Sequence, residues 1–307
     1  MKLRFGSMDA PAPGIYFDIP EQEYRAWDAV SWSSLSWMVQ SPGIFKGHLE
    51  HSERFITKDT EELLLKGRIF HTYLLEPDVA KQVYLCKPET YPSELKGEIV
   101  EKPWNMNANY CKDWVRQRAA EGYEIVSASM LAHAIGQAAN ARQVPEIMQI
   151  IDGAKIEVAV VWIDSDTGLL CKARLDALKG GQIGEAKSTG RSAEWESWMR
   201  TVQARQYWGQ AAFYRDGHDA IADRPELPIV RFLVVESKYP YRATYYDMMD
   251  HPEAVSYQCF IEGRWIYHSY LQQLAYAMKN DHWPMWAAQS DGEMVIPEWM
   301  RLQSLVQ

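Results

Sequence analysis

The stretch spanning residues 156–187 constrains the fold of this chain more than any other. Ile156-Glu157-Val158-Ala159-Val160-Val161-Trp162-Ile163 is dominated by β-branched residues and reads as a strand. Asp164-Ser165-Asp166-Thr167-Gly168 supplies a turn, and residues 169–178 a second strand. Lys179-Gly180-Gly181 reverses the chain again, and residues 182–187 make a third strand. Downstream, residues 193–215 carry a long amphipathic helical pattern, 229–235 an apolar strand, the segment past Tyr241 to Met248 another strand, and about 252–278 a closing helix. Antiparallel strands, a helix, then further strands predict an α/β (α+β) fold with a central mixed β-sheet flanked by helices.

Upstream of that frame, a serine caps a predicted short helix over residues 33–39 that ends before Pro42, and a second helix runs over about 60–75 and stops near Pro77. Residues 78–124 are mixed, with Pro88, Pro92, Pro103 and Trp104 marking loops, and residues 127–150 read as helix interrupted near Pro145. We expect one domain over 1–307, with 78–124 a peripheral insertion. No run approaches the roughly 18 apolar residues of a membrane helix, and the start has no apolar stretch of a secretory signal, so a cytoplasmic protein is expected. Cys86, Cys111, Cys171 and Cys259 stand singly, without the spacing of a zinc or iron-sulfur site, and are expected to be reduced and mostly buried. The formal charge of −9 speaks against nucleic acid, whose non-specific affinity comes from lysine and arginine; a DNA partner requires a locally basic groove.

The chemistry concentrates at Asp176, near the end of the second strand, and at Gly184-Glu185-Ala186-Lys187 on the third, joined by the glycine turn. Side chains alternate along a strand, so Glu185 and Lys187 leave on one face and Ala186 on the other. Lys172, Arg174 and Asp176 share a face of the second strand, which gathers charge as a site would. Hydrolysis of a phosphodiester needs its developing charge neutralised and a water held in line. Two carboxylates, a main-chain carbonyl and a phosphate oxygen suffice for Mg2+, with Mn2+ as a substitute, and a lysine of lowered pKa can act on the water. Taken alone, so short a motif describes a solvated hairpin with a surface ion pair more readily than a site.

Cys171-Lys172-Ala173-Arg174-Leu175-Asp176 followed by Gly184-Glu185-Ala186-Lys187-Ser188-Thr189 resembles the motif of the RecE-type exonucleases, the exonuclease VIII family. That family lies within the PD-(D/E)xK nucleases and is related more distantly to lambda exonuclease and the RecB nuclease domain. Gly67-Arg68-Ile69-Phe70-His71 resembles the family's helix whose histidine contributes to the metal site, and Gln210-Ala211-Ala212-Phe213-Tyr214 its Q-x-x-x-Y signature. Residues 31–42 and 231–246 resemble further elements of it, so the resemblance spans about 14–280. Leu175 stands where proline often precedes the first acid, and Glu185 where aspartate is common in RecE proteins.

The resemblance implies a PD-(D/E)xK core in which His71, Asp176, Glu185 and the Ala186 carbonyl bind metal, Lys187 acts on water, and Gln210 with Tyr214 positions the site. Glu157 is a candidate additional ligand, and Arg191, Arg200 and Arg205 are candidates for phosphate contacts. It further implies an exonuclease on the ends of double-stranded DNA, working 5′→3′, in a phage or prophage recombination system. A ring-shaped homo-oligomer and a RecT-like single-strand annealing protein are the implied partners. The rival readings are an endonuclease or repair nuclease of other polarity on the same core, and a DNA-binding subunit with a relict site. Of the 13 tryptophans most are expected in the core, with a few left to stack bases.

Overall fold

The structure, a computed structural model, describes residues 3–95 and 97–285. The amino-terminal stretch forms the short strand β1 (Gly14–Tyr16), helix α1 (Glu21–Ala26), strand β2 (Val30–Ser31) and helix α2 (Trp32–Leu35). Ser31 caps α2 in a reciprocal box with Ser34, and a 3-10 turn over Ser36–Val39 leads to Ser41, which caps α3 (Pro42–Glu50). The expected helix thus ends before Pro42, and Pro42 opens the next one, where its missing N–H goes unused. Thr57 caps α4 (Lys58–Leu75) by accepting the Thr60 N–H at 3.2 Å, and Pro77 starts α5 (Pro77–Val83).

After α5 come β3 (Tyr84–Cys86), the hairpin strands β4 (Thr90–Leu95) and β5 (Glu98–Pro103), α6 (Asn109–Ala120) and β6 (Glu124–Val126), which pairs with β3 in parallel. Helices α7 (Ala128–Ala141) and α8 (Pro145–Ile151) follow, the break falling at Pro145 as expected.

The three-strand meander is present as β7 (Lys155–Ile163), β8 (Leu170–Lys179) and β9 (Gln182–Thr189). Lys179 pairs with Gln182 across Gly180 and Gly181, whose φ of 56° and 75° are the left-handed values a two-residue hairpin turn demands. After helices α9 (Trp195–Arg205) and α10 (Tyr207–Asp219), β10 (Ile229–Glu236) pairs parallel to β9 and β11 (Ala243–Met249) antiparallel to β10. Helix α11 (Tyr257–Asn280) closes the fold. The result is a central mixed sheet, ordered β1-β7-β8-β9-β10-β11 with β2 beside β8, flanked by helices. On one face Val158, Val160, Leu175 and Phe232 pack against Ala211 and Phe213 of α10 and Phe260 and Leu271 of α11. On the other, Ala186, Leu233 and Val235 pack against Phe70 and Leu74 of α4, Ala138 of α7 and Ile150 of α8.

Two expectations are corrected. Residues 193–215 are not one helix: Gln206, at φ 52° and ψ 43°, ends α9 and begins α10. The break lets α10 lie tightly on α11, where a Cβ at Gly263 would come within 2.3 Å of the Trp208 carbonyl oxygen. The closing helix begins at Tyr257, after turns that follow Pro252. All four cysteines are free, Cys111 and Cys171 buried and Cys86 and Cys259 half-buried. Among the described residues no helix is long and apolar enough to cross a membrane.

Candidate active site

Strands β8 and β9 are paired only near their turn, from Lys179↔Gln182 to Ala177↔Gly184, and then part. At the other end of β8 the vacated edge is taken by β2, at Cys171 and Lys172. The candidate site lies where the strands separate. Asp176 bridges the opening by accepting the Ala186 main-chain N–H at 2.7 Å through Oδ2. The same oxygen lies 3.6 Å from His71 Nδ1, presented by α4.

Directly across the β7–β8 ladder from Asp176 stands Glu157, between the pairs Ile156↔Ala177 and Val158↔Leu175. Its φ of 54° is a strained value for a non-glycine residue within a strand. Here the alternation of β7 and β8 also switches: Ile156 and Ala177 pack with the α4 and α7 core, whereas Val158 and Leu175 pack with that of α10 and α11. The switch turns the Glu157 carboxylate into the opening, and ligand atoms of His71, Glu157 and Asp176 all lie within 4.8 Å of one another. Burial, then the neighbouring Asp176 charge, raises the Glu157 carboxyl to about 7. Arg174 forms an ion pair with it.

Glu185 and Lys187 leave β9 on one face, as the strand period requires, and Lys187 Nζ donates to Glu185 Oε2 at 2.9 Å. Glu185 is 1% exposed. Its Oε1 is buried and accepts no hydrogen bond from any described residue. Burial and then Asp176 push its carboxyl up to about 8, against the opposing pull of Lys187. The lysine with a lowered pKa that was expected is not found. Burial alone would lower Lys187, but Glu185 and Asp176 outweigh it and raise the ammonium above its ordinary value. His71 is held below its ordinary pKa by burial, in spite of Asp176, and the Ala186 carbonyl faces its ring; a neutral imidazole results.

Gln210 Nε2 donates to Tyr214 Oη at 3.0 Å from the helix face that covers Glu185. The Tyr214 phenol is raised well above its usual pKa by burial and then by Glu185. Arg191, Arg200 and Arg205 are exposed, form no ion pair among the described residues, and stand outside the carboxylate cluster. Lys172 is not a site residue: its ammonium is taken up by the carbonyls of Tyr24 and Trp27 at 2.8 and 2.7 Å. Nor do Lys172 and Arg174 share a face with Glu185 and Lys187; the groups approach because the strands part.

Tyr24 of α1 escaped the sequence reading altogether. Burial raises its phenol, with Arg174 opposing and Glu157 and Glu185 adding, so it lies among the site charges. Only the packing of α1 brings it there, and no local pattern announces it. Arg174 was seen only as part of a charged face; its guanidinium lies 5.7 Å from the Tyr24 ring centre.

Three acids, two with raised carboxyl pKa values, a neutral imidazole, a main-chain carbonyl and an orphaned carboxylate oxygen form an arrangement that a hard divalent cation would relieve. The residues fit such an ion.

No curated protein sequence matches the chain. A crystal structure of a "putative exonuclease" from Eubacterium rectale shares the fold, with a TM-score of 0.58 at 10% identity over 95% of this chain and 99% of that one. Residues 31–292 match the PDDEXK-like domain of unknown function (DUF3799), and the chain belongs to that family.

Proposed function

We propose that the protein is a magnesium-dependent deoxyribonuclease of the RecE type that degrades linear double-stranded DNA from its ends, 5′→3′, with Mn2+ able to replace Mg2+. The observation that carries this reading is the meeting of His71, Glu157 and Asp176 beside the Glu185–Lys187 pair, with Glu185 Oε1 buried and unsatisfied. Family membership and the fold shared with a protein described as an exonuclease support it.

In this reading His71, Asp176, Glu185 and the Ala186 carbonyl hold the ion, with Glu157 as a further ligand. A divalent cation held there would supply neutralisation of charge on the phosphate and a lowered pKa for the attacking water. Lys187 holds the Glu185 carboxyl in place through its 2.9 Å hydrogen bond and points its remaining N–H donors at the attacking water. Its raised pKa makes it a donor that orients the water, leaving the proton to a carboxylate. Gln210 and Tyr214 fix the helix face over Glu185 and keep bulk water from it. Arg191, Arg200 and Arg205 supply phosphate contacts that offset the acidity of the chain. A ring-shaped homo-oligomer, a RecT-like annealing protein and a cytoplasmic setting complete the proposal.

The test is digestion of end-labelled linear duplex beside covalently closed circles of the same sequence, with magnesium and with chelator. Release of nucleotides from linear DNA alone, abolished by chelator, is expected. Cutting of circles would make the protein an endonuclease on the same core. No release from either would favour a DNA-binding subunit with a relict site.

A further inference from the structure

Tyr239, in the loop of residues 237–242 that joins β10 to β11, is 84% exposed. On a loose loop such a ring would be unremarked, but this loop is fastened along its whole length. The Ser237 N–H donates to the Thr189 carbonyl and the Tyr241 N–H to the Lys238 carbonyl, both at 2.8 Å. Asn140 of α7 donates to the carbonyls of Pro240 and Tyr241. Arg242 closes the loop by donating to Glu236, Glu194 and Ser192.

Two of the features that hold it are costly. Tyr241 has a φ of 59°, left-handed for a residue with a bulky side chain. Its ring lies over Gly136 in the middle of α7, where an added Cβ would come within 2.6 Å of it. A glycine inside a helix costs about 0.5–1 kcal/mol against alanine. Tyr241 Oη meets His133 Nδ1 at 2.7 Å, and its ring meets that of Tyr239 edge to face, with centroids 5.9 Å apart. Helix α7 thus sets Tyr241, and Tyr241 sets Tyr239. Backbone strain persists where function uses it, and the ring fixed here buries little of itself.

The position of the loop gives the use. It stands beyond the carboxyl ends of β9 and β10, and ligands of α/β sheets bind beyond the carboxyl ends of parallel strands. Thr189, which holds the loop, follows Lys187 by two residues, about 7 Å along the strand. Lys238 beside Tyr239 and Arg191 just past Thr189 are exposed and form no ion pair among the described residues, whereas Glu194 and Glu236 are both engaged by Arg242. Free cations around a rigid exposed ring suit an unpaired polynucleotide strand, its phosphates by charge and its bases by stacking.

We infer that Tyr239 is a stacking platform for a base of single-stranded DNA, with Lys238 and Arg191 on the neighbouring phosphates. The inference rests on the nuclease reading above for the source of that strand: degrading one strand of a duplex leaves the other without its partner beside the site. A ring already fixed in place loses little entropy when a base stacks on it.

The experiment titrates the full chain carrying Lys187→Ala, in magnesium, against a fluorescent oligothymidylate and an abasic oligomer of the same length, which keeps the phosphates and lacks the bases. Anisotropy should show the oligothymidylate bound about tenfold or more tightly than the abasic oligomer. Adding Tyr239→Ala should remove about tenfold or more of the thymidylate affinity and leave the abasic affinity within about twofold, while Tyr239→Trp retains both. Lys238→Ala should weaken both oligomers alike and lower the salt slope by about 0.7. Trp265→Ala, which removes another exposed aromatic, on α11, should change neither. Equal affinity for the two oligomers, or thymidylate binding undiminished by Tyr239→Ala, overturns the platform. So does a Tyr239→Ala protein that keeps its DNA affinity and loses self-association in sedimentation, which gives the ring to a second copy of the chain. Wild-type protein that degrades linear duplex beside a silent Tyr239→Ala keeps the nuclease reading and loses the platform. Stacking that behaves as expected in a chain that degrades no DNA keeps the platform and loses the nuclease reading.

Discussion

The carboxylate of Asp176 accepts the main-chain N–H of Ala186 at 2.7 Å, so the acid that faces His71 also ties β8 to β9 where their ladder ends. Its two roles separate by substitution. Asp176→Ala leaves a buried N–H without a partner and should cost about 1–3 kcal/mol in denaturant unfolding. Asp176→Asn can still offer an amide oxygen to that N–H, so its stability should fall by less than about 1 kcal/mol. Both should lose nucleotide release by about a hundredfold or more, since a few kcal/mol of electrostatic stabilisation disappear with the charge. An asparagine variant as active as the wild type would remove Asp176 from the site.

Glu185 links the site to pH. Its carboxyl is raised from 4.5 to about 8 by burial and by Asp176. In the metal-free protein the folded state therefore keeps a proton that the unfolded chain releases. Stability contributed by this group falls as pH rises between those values. A bound cation must displace the proton, so metal binding should strengthen over the same interval. We expect the magnesium-induced rise in Tm to be larger at about pH 8.5 than at about pH 6, with proton release visible as buffer-dependent heat in calorimetry. Glu185→Gln should flatten this dependence. A magnesium shift that is constant with pH would contradict the ligand role.

Much of this site was legible because strand period and turn chemistry are local. The Gly180-Gly181 turn follows from the freedom of glycine at positive φ, and the common face of Glu185 and Lys187 and the inward side of Ala186 follow from alternation. What alternation could not give is the place where it breaks. At Glu157 the backbone takes a positive φ and the core-facing set of β7 and β8 changes side, so a face read straight along β8 joins Lys172 and Arg174 to the wrong partners. Tyr24 was invisible for a different reason. It arrives through tertiary packing of a six-residue helix far from the motif in sequence, and nothing in its neighbours distinguishes it from a surface tyrosine.

Lys172 fastens that helix. Its ammonium donates to the carbonyls of Tyr24, Arg25 and Trp27 at 2.8, 3.3 and 2.7 Å, satisfying the end of α1 that points at the sheet. Lys172→Met preserves the apolar stem and strands these acceptors. Hydrogen exchange of residues 21–27 should accelerate, and global stability should fall by about 2 kcal/mol. Unchanged exchange in α1 would show that the lysine does not hold it.

Gln206 decides where Gln210 and Tyr214 point. It sits in the left-handed region, its own N–H donating to Gln203 and its carbonyl accepting from Gln210, both at 3.2 Å, while its side-chain amide donates to Tyr270 Oη at 2.8 Å. A glycine tolerates this backbone freely but loses the bond to α11, so Gln206→Gly should be close to neutral, within about 1 kcal/mol. Valine is branched at Cβ and resists positive φ, so Gln206→Val should cost about 1–3 kcal/mol. Relieving that strain means straightening the junction into the single helix that the sequence pattern suggests. Straightening would swing Gln210 and Tyr214 away from Glu185. Activity should therefore fall in the valine variant by more than its stability loss explains, and hold in the glycine variant, when both are assayed well below their melting temperatures. Equal activity in the two would show that the angle between α9 and α10 does not matter to the chemistry.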